Sequence, residues 1–134
     1  LGKDLADLWG LDMSFLHKDV FTLRAQIIEI KDKPSYPVGE IFVDCFGNKG
    51  VYEDRGIRRR AIQGIGKVDF CLDSQLEPRL PGVEVLGSSS DHLIVDIQDC
   101  KEELKVGDIL EFDLRYSTMV FLTGSRYVRL EIKQ

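Results

Sequence analysis

A chain of 134 residues is long enough for one domain with its own core and short for two. Eighteen Lys and Arg against 23 Asp and Glu leave a formal net charge of −5, so binding to a polyanion would need a local basic patch, and non-specific nucleic-acid binding is disfavoured. A composition of 43% hydrophobic and 31% charged residues excludes wholesale disorder. No apolar run approaches the roughly 20 residues that cross a bilayer, so no membrane association is expected.

The amino end, LGKDLADLWG, lacks the charged-then-apolar layout of a secretory signal. Cys45, Cys71 and Cys100 are odd in number and widely spaced, which suits neither a disulfide framework nor a CxxC metal pair. Three reduced thiols in a cytoplasmic protein are expected. The chain begins at Leu1 without an initiator Met, which suggests a trimmed piece of something longer.

Leu1, Leu5, Leu8 and Trp9 are spaced to share one side of a short helix or turn that ends at Gly10. So short an apolar stripe is marginal alone in water, and residues 1–20 read as a connector that packs on a neighbour. From Phe21 the period changes to two. Phe21, Leu23, Ala25 and Ile27 alternate with Thr22, Arg24 and Gln26, and the phase shifts at Ile28, predicting a long strand with a bulge. Pro34 and Pro37 bracket a turn, and EIFVDCF (40–46) is a second strand candidate, closed by the Gly47-Asn48-Lys49-Gly50 loop. Residues 57–66 are β-like but carry Arg58, Arg59 and Arg60. Beyond Pro78 and Pro81 come VEVLG (83–87) and HLIVDI (92–97), both short and β-branched.

Val106-Gly107-Asp108 is a turn signal before ILEFDLRY (109–116), where Leu110, Phe112, Leu114 and Tyr116 alternate with Glu111, Asp113 and Arg115. A last strand, YVRLEI, turns Val128, Leu130 and Ile132 inward. Six or seven strands, with no helix-length apolar period after residue 20, predict an all-β domain, an antiparallel barrel or sandwich with a short helical or irregular amino-terminal connector.

Chemistry is sparse. His17 lies in the polar connector, where a solvated side chain is the plain reading. SSSDH (88–92) sets three hydroxyls, a carboxylate and an imidazole between Gly87 and an apolar strand. Such a loop can aim donors at a small anion, and His92 is of the residue type that moves protons near neutral pH. Spacing alone favours an Asx or Ser turn capping the strand. In a strand, Arg58 and Arg60 share one face and Arg59 takes the other, most simply as a solvated edge that discourages aggregation, less simply as a carboxylate or phosphate contact. Lys67 follows Gly66 at a strand end, where exposure is the ordinary state and desolvation would favour proton transfer. Asp44 and Asp69 have no metal-ligand spacing, no metal site is expected, and nothing resembles a P-loop, GxSxG or HExxH.

Five segments in order nonetheless resemble a known family: IIEIKDKPSYPVGEIFVDCFGNK (27–49), YEDRGIRRRAI (52–62), IGKVD (65–69), EVLGSSSDHLIVDI (84–97) and KVGDILEF (105–112). Together they resemble the carboxy-terminal β domain of fold-type III, pyridoxal-phosphate-dependent amino-acid racemases, most closely the ornithine racemase branch of the alanine racemase-like group. The resemblance covers nearly everything from Phe21 to Val128. It implies the β domain at 21–134, preceded by an α/β barrel that is absent here, whose lysine holds pyridoxal 5'-phosphate. It also implies a head-to-tail homodimer in which the β domain of one subunit reaches the cofactor site of the other, so this chain alone should be inactive.

The substrate implied is ornithine or a related amino acid. Racemisation is done most simply by two acid/base groups, one on each face of the α-carbon. In alanine racemase one is the barrel lysine and the other a tyrosine in a GYxD motif. Here that segment reads Gly66-Lys67-Val68-Asp69, so the tyrosine is missing, and Lys67 and His92 are the two candidates for its role. Ser90-Asp91-His92 aligns with the family's MDQ segment, whose first residues meet the substrate carboxylate, which implies that Ser90 and Asp91 line the substrate. Ser125-Arg126-Tyr127-Val128 is similar to an SYRV-like stretch whose tyrosine contacts the cofactor phosphate. Here the tyrosine is offset by one residue, so Tyr127 is either a phosphate contact or part of a strand core. The alternatives to a racemase domain are a non-catalytic β-barrel module that binds through Arg58 to Arg60 and a dimerisation domain.

Overall fold

The computed structural model describes residues 3–15, 17, 20–39, 43, 47, 51 and 53–132. The strand candidate at 40–46, with Asp44 and Cys45, lies outside these but for residue 43. A seven-residue helix, α1 (Lys3–Trp9), precedes the 13-residue strand β1 (Thr22–Pro34). Then follow β2 (Ile57–Gln63), the one-turn α2 (Lys67–Phe70), a 3₁₀ turn (Asp73–Gln75), β3 (Leu76–Pro78), β4 (Glu84–Ser88), β5 (Leu93–Asp96), β6 (Ile109–Leu114) and α3 (Tyr116–Gly124).

The six strands form one antiparallel sheet in the order β3-β6-β1-β2-β5-β4. β1 is the corner of this sheet. Its first part pairs with β6 from Thr22 to Gln26, and its second pairs with β2 up to Pro34. Between Ile27 and Glu29 the register slips by one residue, the bulge expected from the phase change at Ile28. A bulge bends and twists its strand, which lets one long strand serve two flanks and curls the sheet into a nearly closed barrel. The two edges, β3 and β4, face each other across a cleft of about 500 Å³ lined by Leu76, Glu77, Pro78, Val83, Val85 and Leu86 among others. Pro78 sits in an edge strand, where its missing N–H costs no ladder bond.

Alternation decides what is inside. Leu23, Ala25 and Ile27 of β1 are buried while Arg24 and Gln26 are exposed, and Ala61, Leu93, Val95, Leu110 and Phe112 complete the inner face. Phe70 of α2 and Leu122 of α3 are buried in the same core, and the two helices pack on each other.

Three expectations are corrected. β6 stops at Leu114; Tyr116 opens α3 and is exposed. This helix, YSTMVFLTG, carries apolar residues on several sides, so no one-sided stripe announces it. Residues 127–132 form no strand, and Leu130 and Ile132 are exposed, with Val128 alone of the three packing on the core. Finally, the arginine triplet is not at an edge, because β2 lies between β1 and β5.

The expected alternation of the arginines does hold, with Arg58 and Arg60 half-buried and Arg59 exposed. Arg58 Nε and Nη2 donate to the two oxygens of Asp96 at 2.8 and 3.0 Å, and Nη2 also reaches Asp99 at 2.5 Å. Arg55 joins Asp96 (3.3 Å) to Glu84 (2.9 Å). Bidentate geometry suits a guanidinium to a carboxylate, and the Asp96 side chain is only 2% exposed. Hydrogen bonds donated to Asp96 and then to Asp99 push Arg58 above its ordinary value. Burial by itself would raise the Asp96 carboxyl, but the Arg58 hydrogen bond, the Gln98 N–H and the charges of Arg58 and Arg55 outweigh it and hold it below the usual carboxylate range.

A depressed carboxyl stabilises the fold above its unfolded value, near pH ~4, and loses that contribution as pH falls through the lower folded value. Urea midpoints should therefore fall as pH drops below about 4. Asp96→Asn should cost about 2 kcal/mol at pH 7, since it removes the buried partner of Arg58 and leaves the exposed Asp99, and should flatten that acid dependence. Parallel acid profiles for the two proteins would assign the lability to other carboxylates.

Candidate functional site

The register Gln63↔Leu93 fixes where the expected site segments lie. In an antiparallel pair the end of one strand stands beside the start of its neighbour. The chain leaving β2 and the chain entering β5 are therefore neighbours, although their sequences are more than twenty residues apart. From Gln63 the backbone passes through Gly64, Ile65 and Gly66 into α2, while residues 88–92 make the turn from β4 into β5.

Gly66 is extended (φ −142°, ψ −171°), so its conformation suits any residue, but its surroundings do not. A Cβ there would fall inside the van der Waals envelope of the Ser90 carbonyl and the Asp91 nitrogen. Its absence lets the first N–H groups of α2 dock on the opposite turn: Lys67 N–H donates to Ser89 O at 2.9 Å and Val68 N–H to Ser90 O at 3.0 Å. Amides at a helix start lack partners within the helix, and here another turn's carbonyls satisfy them. Asp69, only 6% exposed, accepts the Ser125 hydroxyl at 2.7 Å and, at 3.4 Å, the Gly66 N–H. Ser125 Oγ accepts the Tyr127 N–H at 3.1 Å. The three segments quoted for the site, 66–69, 88–92 and 125–127, thus converge.

Within the 88–92 turn, Ser89 N–H donates to His92 O, and Ser89 Oγ accepts the N–H groups of Asp91 (3.3 Å) and His92 (3.1 Å). This is the Ser turn that spacing favours, and it leaves Ser90, Asp91 and His92 exposed. Ser90 Oγ donates to Asp91 Oδ2 at 2.5 Å. The Lys67 side chain is 19% exposed, more enclosed than a strand-end lysine ordinarily is, and its ammonium stands 3.9 Å from Asp73 Oδ2, which also accepts the Ser88 hydroxyl at 2.6 Å.

Asp73 comes back to Lys67 because Cys71 reverses the chain. Cys71 holds φ 67° and ψ −58°, and the Leu72 N–H donates across it to Phe70 O at 2.8 Å. This is a γ-turn of the strained sign, and such a conformation costs on the order of 1–3 kcal/mol. Phe70, fully buried just before it, anchors the reversal.

Tyr127 is 67% exposed, so the strand-core alternative is overturned. Its hydroxyl accepts from Arg126 Nη2 at 2.7 Å, and the Arg126 guanidinium lies 4.9 Å from the ring centre. His17 is exposed in the connector, as expected. No three His, Cys, Asp or Glu side chains among the described residues gather as metal ligands would. Asp73 and Ser125 were not singled out from sequence. Asp73 carries no local signal, because only the γ-turn returns it to Lys67, and Ser125 lay in a quoted stretch without a role.

Gly66→Ala should destabilise the domain by about 2 kcal/mol or more, since backbone rather than a pliable side chain opposes the new methyl. Amide shifts at Ser89 to Asp91 should move with it. Ser125→Ala, which leaves buried Asp69 short of a donor, should cost about 1 kcal/mol. An alanine at 66 with unchanged urea midpoint and unchanged shifts would mean that the two turns are not in contact.

No family model matches the chain. It is similar to ornithine racemase of Acetoanaerobium sticklandii, at 48% identity over 132 residues, covering 98% of this chain and 36% of that protein. It is also similar to lysine racemase of Thermotoga maritima, at 41% identity over 129 residues, covering 96% of this chain and 35% of that protein. The chain therefore spans about a third of the length of these curated relatives. Among solved structures, alanine racemase from Acinetobacter baumannii shares 19% identity with a TM-score of 0.41, over 72% of this chain and 26% of that one. The motif resemblance and the two relatives, both named as amino-acid racemases, agree along almost the whole chain.

Proposed function

We propose that this chain is the carboxy-terminal β domain of a pyridoxal-phosphate-dependent racemase of ornithine or a related amino acid, and that it completes the active site of a partner subunit. The observation that carries this reading is the docking of residues 66–69 on residues 88–92, two segments of the racemase resemblance held as one surface. Residues 1–20 are the connector from an upstream α/β barrel, and residues 21–134 are the β domain. Leu5, Leu8 and Trp9 of α1 are exposed, while Asp7 of the same helix forms a salt bridge with Arg115 at 3.1 Å. An apolar stripe left in this state fits a helix that packs on the upstream domain. The working enzyme is a cytoplasmic homodimer, and the isolated chain, lacking the cofactor-holding lysine, is inactive.

The exposed Arg126 and Tyr127 side chains supply a cation and a hydroxyl that suit a phosphate group, which fits Tyr127 as a contact to pyridoxal 5'-phosphate. When bound, that cofactor supplies an electron sink for the charge left at the α-carbon. Either Lys67 or His92 takes or returns the α-proton on one face. Lys67 is partly enclosed and oriented by Asp73, and His92 is exposed on a pinned turn. Ser90 and Asp91 line the substrate. The rival reading of a module that binds polyanions through its arginines is disfavoured, because Asp96 and Asp99 already match the Arg58 charge.

The test is to restore the upstream part of the protein and follow the optical rotation of L-ornithine, L-lysine and L-alanine. Turnover of a diamino acid is expected, and turnover of none of the three would overturn the reading. Lys67→Ala or His92→Ala, whichever removes the proton-transfer group, should lower kcat by about a hundredfold or more with cofactor affinity unchanged. Wild-type kinetics in both variants would remove both residues from that role.

A further inference from the structure

We propose that Asp91 reads the distal ammonium group of a diamino-acid substrate, and that it is this residue which sets a preference for basic over neutral amino acids. The inference rests on the racemase reading above and departs from it at one point, since the resemblance would have Ser90 and Asp91 meet the substrate carboxylate. An ionised aspartate only accepts hydrogen bonds, and two carboxylates at contact distance repel. Asp91 is therefore matched to the cationic end of a substrate and mismatched to its carboxylate.

The three aspartates around the docked turns are not equivalent. Asp69 is buried and committed to Ser125 and the Gly66 N–H. Asp73 is committed to Ser88 and Lys67. Asp91 is exposed, and its one side-chain partner among the described residues is Ser90 Oγ, on Oδ2. Its other oxygen, Oδ1, carries no described hydrogen bond.

Nor is Asp91 carried on a loose loop. Its own N–H is held by Ser89 Oγ, and the flanking carbonyls of Ser89 and Ser90 are held by the first turn of α2. A carboxylate discriminates between ligands of different charge only when its position is fixed. Chemistry at the α-carbon cannot separate ornithine or lysine from alanine, because all three present the same α-amino and carboxylate groups there. The distinguishing feature of the diamino acids is an ammonium a few methylenes away. The relatives that match this chain at 48% and 41% identity are named for ornithine and lysine.

The experiment uses the full-length enzyme with its cofactor, comparing wild type, Asp91→Asn and Asp91→Glu on L-ornithine, L-lysine, L-alanine and L-norvaline. Asparagine keeps the shape and can still accept the Ser90 hydroxyl while losing the charge. For ornithine and lysine, Asp91→Asn should raise KM about ten- to a hundredfold with kcat little changed. For alanine and norvaline, which carry no distal ammonium, kcat/KM should fall far less than for ornithine and lysine, so that the diamino-acid preference is lost. Asp91→Glu should recover part of the ornithine KM.

A merely structural role would lower all four substrates together, and that result, or an unchanged ornithine KM, overturns the inference while wild-type turnover of ornithine leaves the racemase reading standing. A wild-type enzyme active on alanine but not on diamino acids overturns the inference alone. One that racemises no amino acid overturns both.

Discussion

Two backbone hydrogen bonds, from the Lys67 and Val68 N–H groups to the Ser89 and Ser90 carbonyls, hold the candidate site together. They exist because residue 66 has no side chain, which lets the two turns approach to backbone contact. Each such bond contributes only about 1 kcal/mol net. The consequence is positional. Lys67, Ser90, Asp91 and His92 belong to different turns and yet sit on one rigid surface, with Asp69 and Ser125 joining the third segment to it.

The barrel makes that contact possible. The bulge at Ile28 lets β1 pair with β6 along one part and β2 along the other, so the sheet closes around Leu23, Ala25, Ile27, Val95 and Phe112. Pairing β2 with β5 then brings Gln63 beside Leu93, and with them the turns that carry the polar groups. Phe70 and Leu122 seal the same core from the short helices, and the buried phenyl ring fixes the point at which Cys71 must reverse the chain. Strain at Cys71 is tolerated because core packing on one side and the Asp73 contacts on the other both require the reversal.

Charge plays two separate parts. Around Arg58 it is structural: Asp96 and Asp99 match a guanidinium that is mostly covered by the barrel wall. Around residues 88–92 it is left open to solvent, with Asp91 and His92 exposed on a turn whose backbone N–H groups at 91 and 92 are held by Ser89 Oγ. An arginine triplet invites a binding role and a serine-rich loop a structural one. The contacts favour the reverse for Arg58, which the fold consumes, and for the loop, whose Ser89 builds the turn while its neighbours face outward.

Local pattern was sufficient for β1 with its bulge, for β2, β4, β5 and β6, and for the Ser turn, because side-chain alternation and turn chemistry act between residues close in sequence. The racemase resemblance was likewise carried by motifs legible in order along the chain. Pairing was not legible: that β2 is a central strand, so that its arginines face Asp96 rather than solvent at an edge, depends on partners 38 and 41 residues away. The helix at 116–124 and the absence of a strand at 127–132 depend on it too, since apolar residues there had no neighbour in sequence to say which of them the core would take. The return of Asp73 to Lys67 and the closeness of residue 66 to residue 90 were decided by packing, because a steric contact between distant backbones leaves no period in the sequence that makes it.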